Sequence, residues 1–320
     1  MALQTLKDRL DRIPPASVRV QRAVGIATVV TQSLIALTGS VVRVTGSGLG
    51  CSEWPNCLPG SMVPVEHPEY AMLNQWIEFG NRLLTGVVGI VAIAAFVLAY
   101  LDRPRRARYV RLALVMPVGV AIQGVIGGVT VRLDLLWWVV AVHLLASMLM
   151  IWLATLYLNA IDEGDGPAVP RGPAALGRVL PVLAGVLVGL LVVGTMVTGA
   201  GPHAGDPETP RLDLPVDVLS HVHATFLYVF LALLVAVGLM LRRAGDTPAL
   251  LWRRYAVLVV VVLAQGALGF TQYFTGVPEV LVSLHVLGAT VVIWATANLW
   301  AGSWERPAVV REGARVAVPA

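Results

Sequence analysis

Residues 179–205, VLPVLAGVLVGLLVVGTMVTGAGPHAG, contain no Asp, Glu, Lys or Arg. About 20 apolar residues are enough for an α-helix to cross the hydrocarbon core of a bilayer, so this stretch predicts a transmembrane helix. Seven further uncharged runs of similar length cover 23–42, 83–101, 112–131, 135–161, 218–241, 255–278 and 280–304. We expect the second of these helices to begin earlier, near Gln75, so that Glu78 and Arg82 lie in its first turns.

The composition of the whole chain agrees with a polytopic membrane protein. Of 320 residues, 57% are hydrophobic and only 13% are charged, whereas about 25% are charged in an average soluble domain. Too few polar side chains are present to cover a water-soluble globule, and the high apolar content excludes a disordered chain. Because an open sheet edge is unstable in lipid, we predict an all-α fold of eight transmembrane helices.

Arginine and lysine are distributed unevenly between the two sets of loops. Cytoplasmic segments are enriched in these residues. If the N-terminus is cytoplasmic, all but four of the 23 Lys and Arg residues fall on the cytoplasmic side. The four exceptions are Arg43, Arg82, Arg132 and Arg211. The sequence therefore predicts that both termini are inside, and the net charge of +4 indicates orientation and no nucleic-acid partner.

An internal repeat relates the two halves of the chain, because several residues recur 142 positions later. Gln123, Gly124 and Gly127 recur as Gln265, Gly266 and Gly269, His143 recurs as His285, and Asn81 corresponds to His223. Each half has four helices, an even number, so both halves have the same orientation and are related by an axis along the membrane normal.

The repeat predicts two pseudo-symmetric four-helix bundles. The predicted parts are a leader (1–22), an N-terminal bundle (23–161) with a long outer loop (43–75), a linker (162–178), a C-terminal bundle (179–304) and a tail (305–320).

Three histidines lie about five to seven residues inside the outer ends of helices 4, 6 and 8. Ionisable groups inside a membrane span are candidate functional residues. His223 and His285 belong to one half, and two histidines on facing helices can ligate a haem iron from both sides. Zinc would need further ligands. His221 competes with His223, and since the two differ by about 200° around a helix, only one can face the site. The repeat favours His223.

The first half differs, because Asn81 and His143 occupy the matching positions and offer one clear axial ligand. Glu78, Asn81 and Arg82 share one helix face. One interpretation is an ion pair that extends to the membrane interface. The other is a carboxylate beside a buried substrate, with Arg82 setting its charge or binding a propionate.

The two cysteines, Cys51 and Cys57, lie in GCSEWPNC (50–57) of the outer loop. Their number, close spacing and location on an oxidising side favour a disulfide. A structural staple and a redox-active pair both remain open. A metal site is the weaker interpretation, because only His67 lies nearby.

Taken together, these motifs resemble the haem A synthase family. The resemblance covers essentially the whole chain and rests on TGSGLGC (45–51), WIEFGNR (76–82) and one histidine in each of helices 4, 6 and 8. It implies a bacterial plasma-membrane oxidoreductase with the cysteine loop on the outer face. The implied reaction converts the C8 methyl of haem O to a formyl group by two successive hydroxylations and loss of water, for terminal oxidase assembly.

The resemblance also implies roles for residues. His223 and His285 would ligate a haem b cofactor, while His143, Asn81 and Arg82 would form the substrate haem site. Glu78 would be catalytic there. Many members of the family have a histidine in place of Asn81. The implied partners are haem O, a haem O synthase, an electron donor and the lipid membrane, and a homo-oligomer is compatible with the sequence. The Cys51–Cys57 pair carries over as well.

Two other function classes fit part of the sequence. A haem b electron-transfer subunit without its own substrate explains the histidine pair but leaves the Glu78–Asn81–Arg82 group without a role. A transporter or haem chaperone suits the parallel repeat, yet the polar groups cluster near one face and no charged relay crosses the midplane.

Overall fold

The computed structural model describes residues 13–103 and 106–308. This part of the chain contains eight long α-helices. They are α1 (Val18–Val44), α2 (Met72–Leu101), α3 (Ala107–Arg132), α4 (Trp137–Ala160), α5 (Leu176–Ala200), α6 (Val216–Arg243), α7 (Ala249–Phe274) and α8 (Glu279–Gly302). All eight are long and apolar enough to cross a membrane, which confirms the predicted fold class. Residues 1–12 of the predicted leader and 309–320 of the predicted tail lie outside the described residues.

Several helices extend beyond the uncharged runs of the sequence where charged residues interrupt the run, whereas α4 (Trp137–Ala160) lies inside its run. Helix α1 begins at Val18, where the Oγ of Ser17 accepts a hydrogen bond from the Val20 amide, and α2 begins at Met72. Charged side chains such as Arg22 and Glu78 therefore lie within helix ends. A count of uncharged residues misses such terminal turns. Charged residues are tolerated there because long side chains near the ends of a span can reach polar groups at the interface.

The two halves have different packing. In the first half, α1, α2, α3 and α4 pack in sequence and α4 returns to α1, which closes a ring. In the second half, the α5–α6 and α7–α8 pairs are each well packed, but they meet only along a short contact between α6 and α7. This pairing is consistent with two bundles, of which the second is the more open.

The halves pack against each other through α1, α4, α5 and α8. The largest buried apolar cluster includes Ile151 of α4, Leu183 of α5, Phe230 of α6 and Leu258 of α7, so the core is continuous between the halves.

Loops and termini divide into two ends, as an even number of helices requires. At one end the 161–175 linker pairs its short strand β1 (Val169–Pro170) with β2 (Trp304–Glu305), and Arg22 forms an ion pair of 2.8 Å with Asp162. At the other end the cysteine loop meets the 201–215 loop, where the Gly48 amide donates to the Gly205 carbonyl at 2.8 Å. That the first end is cytoplasmic stays a prediction from charge.

A polar network fixes the two halves near the linker end. The guanidinium of Arg254 on α7 donates to Oδ1 of Asn159 on α4 at 2.6 Å and to the carbonyl of Asn298 on α8 at 2.5 Å. Asn159 also donates to Oδ1 of Asn298 at 3.0 Å. Three helices of both halves therefore share one set of hydrogen bonds in an apolar setting, where an unpaired polar group is costly.

Replacing Asn159 by Leu should lower the free energy of unfolding by roughly 1–3 kcal/mol, since Arg254 and Asn298 each lose a partner. The measurement is the unfolding midpoint in mixed detergent micelles. Thr225→Val is the matched control, because Thr225 is exposed and bonds only within its own helix. Equal midpoints for Asn159→Leu and the unmodified protein would contradict a joining role for the network.

Candidate functional site

His223 and His285 face each other across the open second half. His223 lies on α6 and His285 on α8, with their ring centroids 6.3 Å apart and their planes inclined by 57°. Two imidazoles on opposite sides of one metal ion place their centroids about 6 Å apart, because each nitrogen lies about 2.0 Å from the metal. The spacing of this pair therefore suits a shared metal centre.

Hydrogen bonding determines which nitrogen of His223 is free. Its Nδ1 lies 3.0 Å from the carbonyl oxygen of Leu190 on α5, a contact in which only an N–H can donate. The proton is therefore on Nδ1, and Nε2 presents a lone pair, as in most metal-ligating histidines. The Nδ1 of His285 is buried and has no partner within the described part of the chain.

Small residues make room for these rings. A Cβ on Gly194 would lie 3.0 Å from Cε1 of His223, and a Cβ on Gly269 would lie 3.0 Å from Cε1 of His285. Gly127 packs in the same way on His143, at 3.5 Å. The repeated glycines at 127 and 269 thus face the repeated histidines.

The glutamines of the repeat support the same histidines. Nε2 of Gln265 donates to the carbonyl of His285 at 2.9 Å, and Nε2 of Gln123 donates to the carbonyl of His143 at 3.3 Å. In both halves, a glutamine on the third helix therefore holds the backbone of the histidine on the fourth. The sequence located this motif by its repetition, but only the structure gives it a role.

The other histidines lie elsewhere. His221 is exposed, with its Nδ1 on the carbonyl of Asp217 at 2.6 Å and its ring 6.4 Å from that of Tyr273. His203 contacts the Val277 carbonyl, and His67 lies against the ring of Tyr70. Only His223, of the two competing histidines on α6, is close to His285.

In the first half, Asn81 has a partner on α1. The hydroxyl of Thr38 donates to Oδ1 of Asn81 at 2.6 Å. His143 has a buried Nδ1 without a partner among the described residues. Thr38 on α1 and Leu190 on α5 thus orient the side chains at the paired positions 81 and 223. Neither contact was predicted from the sequence. The similar turns after helices 1 and 5 are offset by 153 residues, and the same offset aligns Thr38 with position 191, next to Leu190.

Glu78 and Arg82 bind the cysteine loop. Glu78 is only 5% exposed; its Oε2 accepts from the Cys51 amide at 2.8 Å, and its Oε1 accepts from Nη2 of Arg82 at 2.5 Å and from Nε at 3.1 Å. The remaining donors of Arg82 go to the carbonyls of Cys51, Glu53 and Asn56. All five N–H groups of this guanidinium are therefore engaged, and binding a propionate would break one of these bonds.

The cysteine loop itself is held by a disulfide. Cys51 and Cys57 are bonded, as predicted, and both are 0% exposed. Leu58, Tyr70 and Phe79 pack around them. A buried disulfide beneath the loop gives an external thiol no direct approach in this conformation.

Comparison with known proteins decides the family. The sequence profile of the COX15-CtaA family, described as cytochrome oxidase assembly protein, matches residues 22–297. The chain belongs to this family.

Three relatives of this COX15-CtaA protein are bacterial and are named heme A synthase. A heme A synthase from Azorhizobium caulinodans is 26% identical over 332 residues, covering 88% of this chain and 94% of the relative. One from Sinorhizobium fredii is 25% identical, covering 96% of both chains. A third, from Symbiobacterium thermophilum, is 31% identical over 183 residues, 57% of this chain and 58% of the relative. With its eight spans, this COX15-CtaA protein is a multi-pass bacterial membrane protein.

Replacing Arg82 by Gln should expose the disulfide, because the loop loses charge-assisted hydrogen bonds of about 1.5–3 kcal/mol each. We expect reduction by an external phosphine to become roughly tenfold faster or more, since closed-loop stability controls access. Alkylation of Cys51 and Cys57, followed over time by mass spectrometry, measures the rate. Arg211→Gln, at the same end of the molecule but bonded to the Gly201 carbonyl outside the cysteine loop, is the control. Equal rates in the two variants would exclude a clamp at Arg82.

Proposed function

We propose that this protein is a haem A synthase, an oxidoreductase that converts the C8 methyl of haem O to a formyl group through two successive hydroxylations. The observation that carries the proposal is the pair of histidines facing each other in the second half, with a single matching histidine in the first. The names of its full-length relatives and its family support the same activity.

The second half is the proposed site of a resident haem b. The 6.3 Å between the ring centroids, the free Nε2 of His223 and the glycines beside both rings suit two axial imidazoles. The limited contact between α6 and α7 leaves the two helix pairs apart on that side. When bound, a bis-histidine haem supplies one-electron transfer, and the protein orients and shields it.

The first half is the proposed site of the substrate haem. His143 offers one imidazole, and Gln123 holds its backbone through the carbonyl. Asn81 is held by Thr38, and a neutral amide is a weak ligand for iron. One face of the substrate iron would thus lack a strong protein ligand.

Glu78 is the proposed proton acceptor of the reaction. An ionised carboxylate has about four acceptor positions, and three at Glu78 are used by Cys51 and Arg82. The remaining position on Oε2 is available to take a proton. The Arg82 guanidinium holds the carboxylate in a fixed position, and general-base catalysis requires such a positioned acceptor.

We further propose that the cysteine loop faces the outside of the bacterial plasma membrane, and that a haem O synthase and an electron donor are the partners. The charge distribution supports this orientation, because the linker end carries most of the arginines.

A second candidate function is a haem b electron-transfer subunit, which the His223–His285 pair alone would satisfy. The two candidates differ in whether haem O is changed. A conversion experiment separates them directly.

The test of the proposed function is co-expression with a source of haem O, followed by pigment extraction, chromatography and mass spectrometry. We expect haem A or its hydroxymethyl precursor. Glu78→Gln should retain haem b but lose product by roughly 100-fold or more, the contribution of a general base. Glu53→Gln is the matched control, because its exposed carboxylate lies in the cysteine loop that Glu78 contacts. Only haem B and unreacted haem O, with a reductant supplied, would favour the electron-transfer subunit.

Axial ligation is tested by single substitutions. His223→Ala or His285→Ala should abolish the low-spin haem b spectrum of the purified protein, because each removes one of two ligands. His221→Ala is the control and should leave the spectrum unchanged, since its exposed ring lies away from the pair. Loss of the spectrum in His221→Ala would overturn the assignment on α6.

A further inference from the structure

Among the described residues, four arginines lie at the cysteine-loop end, and two of them, Arg82 and Arg132, donate to carbonyls of that loop. Arg82 uses all five donors on Glu78 and loop carbonyls. Arg132 donates to the carbonyl of Trp54 at 3.1 Å. Arg43 and Arg211 remain, and they lie where the two halves meet.

Arg43 is only partly satisfied. It lies in the last turn of α1, and its Nη2 donates to the carbonyl of Thr198 on α5 at 2.9 Å. Its Nε is buried and has no hydrogen-bond partner among the described residues. A Cβ on Gly205, at φ +97°, would lie 3.9 Å from the Cα and the Cγ of Arg43. The loop from the second half thus covers the arginine from the first.

Arg211 brings a second positive charge to the same place. It belongs to the covering loop and donates to the carbonyl of Gly201 at 2.7 Å, three residues beyond the Thr198 carbonyl that Arg43 binds. Within residues 13–103 and 106–308, neither arginine forms an ion pair with a carboxylate. Of the nearby acids, Asp206 uses Oδ1 to accept from the Glu208 amide.

The buried Nε of Arg43, unpartnered among the described residues, and the adjacent charge of Arg211 both favour an anion at this place. A buried charge is costly unless it is paired. Guanidinium groups are well suited to carboxylates, because their planar donors match the two oxygens. Haem carries two propionate carboxylates, and the three histidines of both halves lie within the first turns of their helices from this same end.

We infer that Arg43 and Arg211 form a carboxylate site at the junction of the two halves, which binds a propionate of a haem held by the histidines. This inference rests on the proposed function in one respect, that the chain binds haem. The propionate has two possible sources, the resident haem of the second half and the substrate haem of the first. Arg43 is the principal ligand because its guanidinium is the more buried, and exposed Arg211 closes the site.

Two binding measurements on the purified holoprotein distinguish these sources. The first is the affinity for haem O and for haem O dimethyl ester, which lacks the charged carboxylates. The second is the rate at which resident haem transfers to apomyoglobin. The variants are Arg43→Gln, Arg211→Gln and Arg43→Lys, with Arg132→Gln as the control from the same end.

If the substrate haem occupies the site, Arg43→Gln should weaken haem O binding roughly 10- to 100-fold and leave the affinity for the ester unchanged. Arg211→Gln should have a smaller effect, and Arg43→Lys should restore part of the loss. If the resident haem occupies it, the same variants should accelerate haem transfer by a similar factor while the low-spin spectrum persists.

Unchanged values in both measurements would overturn the inference. Equal weakening of acid and ester would also overturn it, because it would indicate a purely structural role for Arg43. Neither measurement requires turnover. If the protein discriminates haem O from its ester without converting haem O, the carboxylate site stands and the proposed activity fails. If it converts haem O without discriminating acid from ester, the proposed activity stands and the carboxylate site fails.

Discussion

An unpaired polar group in hydrocarbon costs several kcal/mol, and this constraint governs the whole molecule. The eight helices satisfy their own backbone, so every remaining polar side chain in the spans must find a partner or have a function. The Arg254–Asn159–Asn298 network finds its partners between the halves. Near the opposite end, the buried Nδ1 atoms of His143 and His285 have no partner among the described residues, which marks this end as the candidate functional site.

The two halves hold different candidate sites on similar four-helix frames, because the repeat preserves the positions of the site residues while the residue types differ. In both halves a glutamine and a glycine on the third helix hold the histidine of the fourth. The second helix then differs, with His223 oriented by a backbone carbonyl and Asn81 by a hydroxyl. The closed ring of the first half and the open packing of the second accompany this difference.

The cysteine loop is joined to the candidate substrate half by electrostatics. Glu78 accepts from the loop backbone while Arg82 donates to three loop carbonyls, so the ion pair on α2 and the disulfide of the loop form one unit. A substitution in the ion pair therefore also alters the surroundings of the disulfide, and the reverse holds as well. The proposed proton acceptor is therefore held by the same contacts that keep the disulfide buried.

The sequence by itself determined the number of spans, the repeat, the disulfide pair and the set of candidate residues, because hydropathy and repetition are local properties of a chain. It also preferred His223 to His221, and the structure brings His223 close to His285. Some helix ends were placed too far inward, since charged residues in terminal turns break an uncharged run. The C-terminal ends of α5 and α7 were placed too far outward, since uncharged loop residues lengthen a run. Only the tertiary structure decided that Arg82 has no free donor and that Arg43 and Arg211 both donate to carbonyls at the end of α5, because these contacts join groups that lie far apart in the sequence.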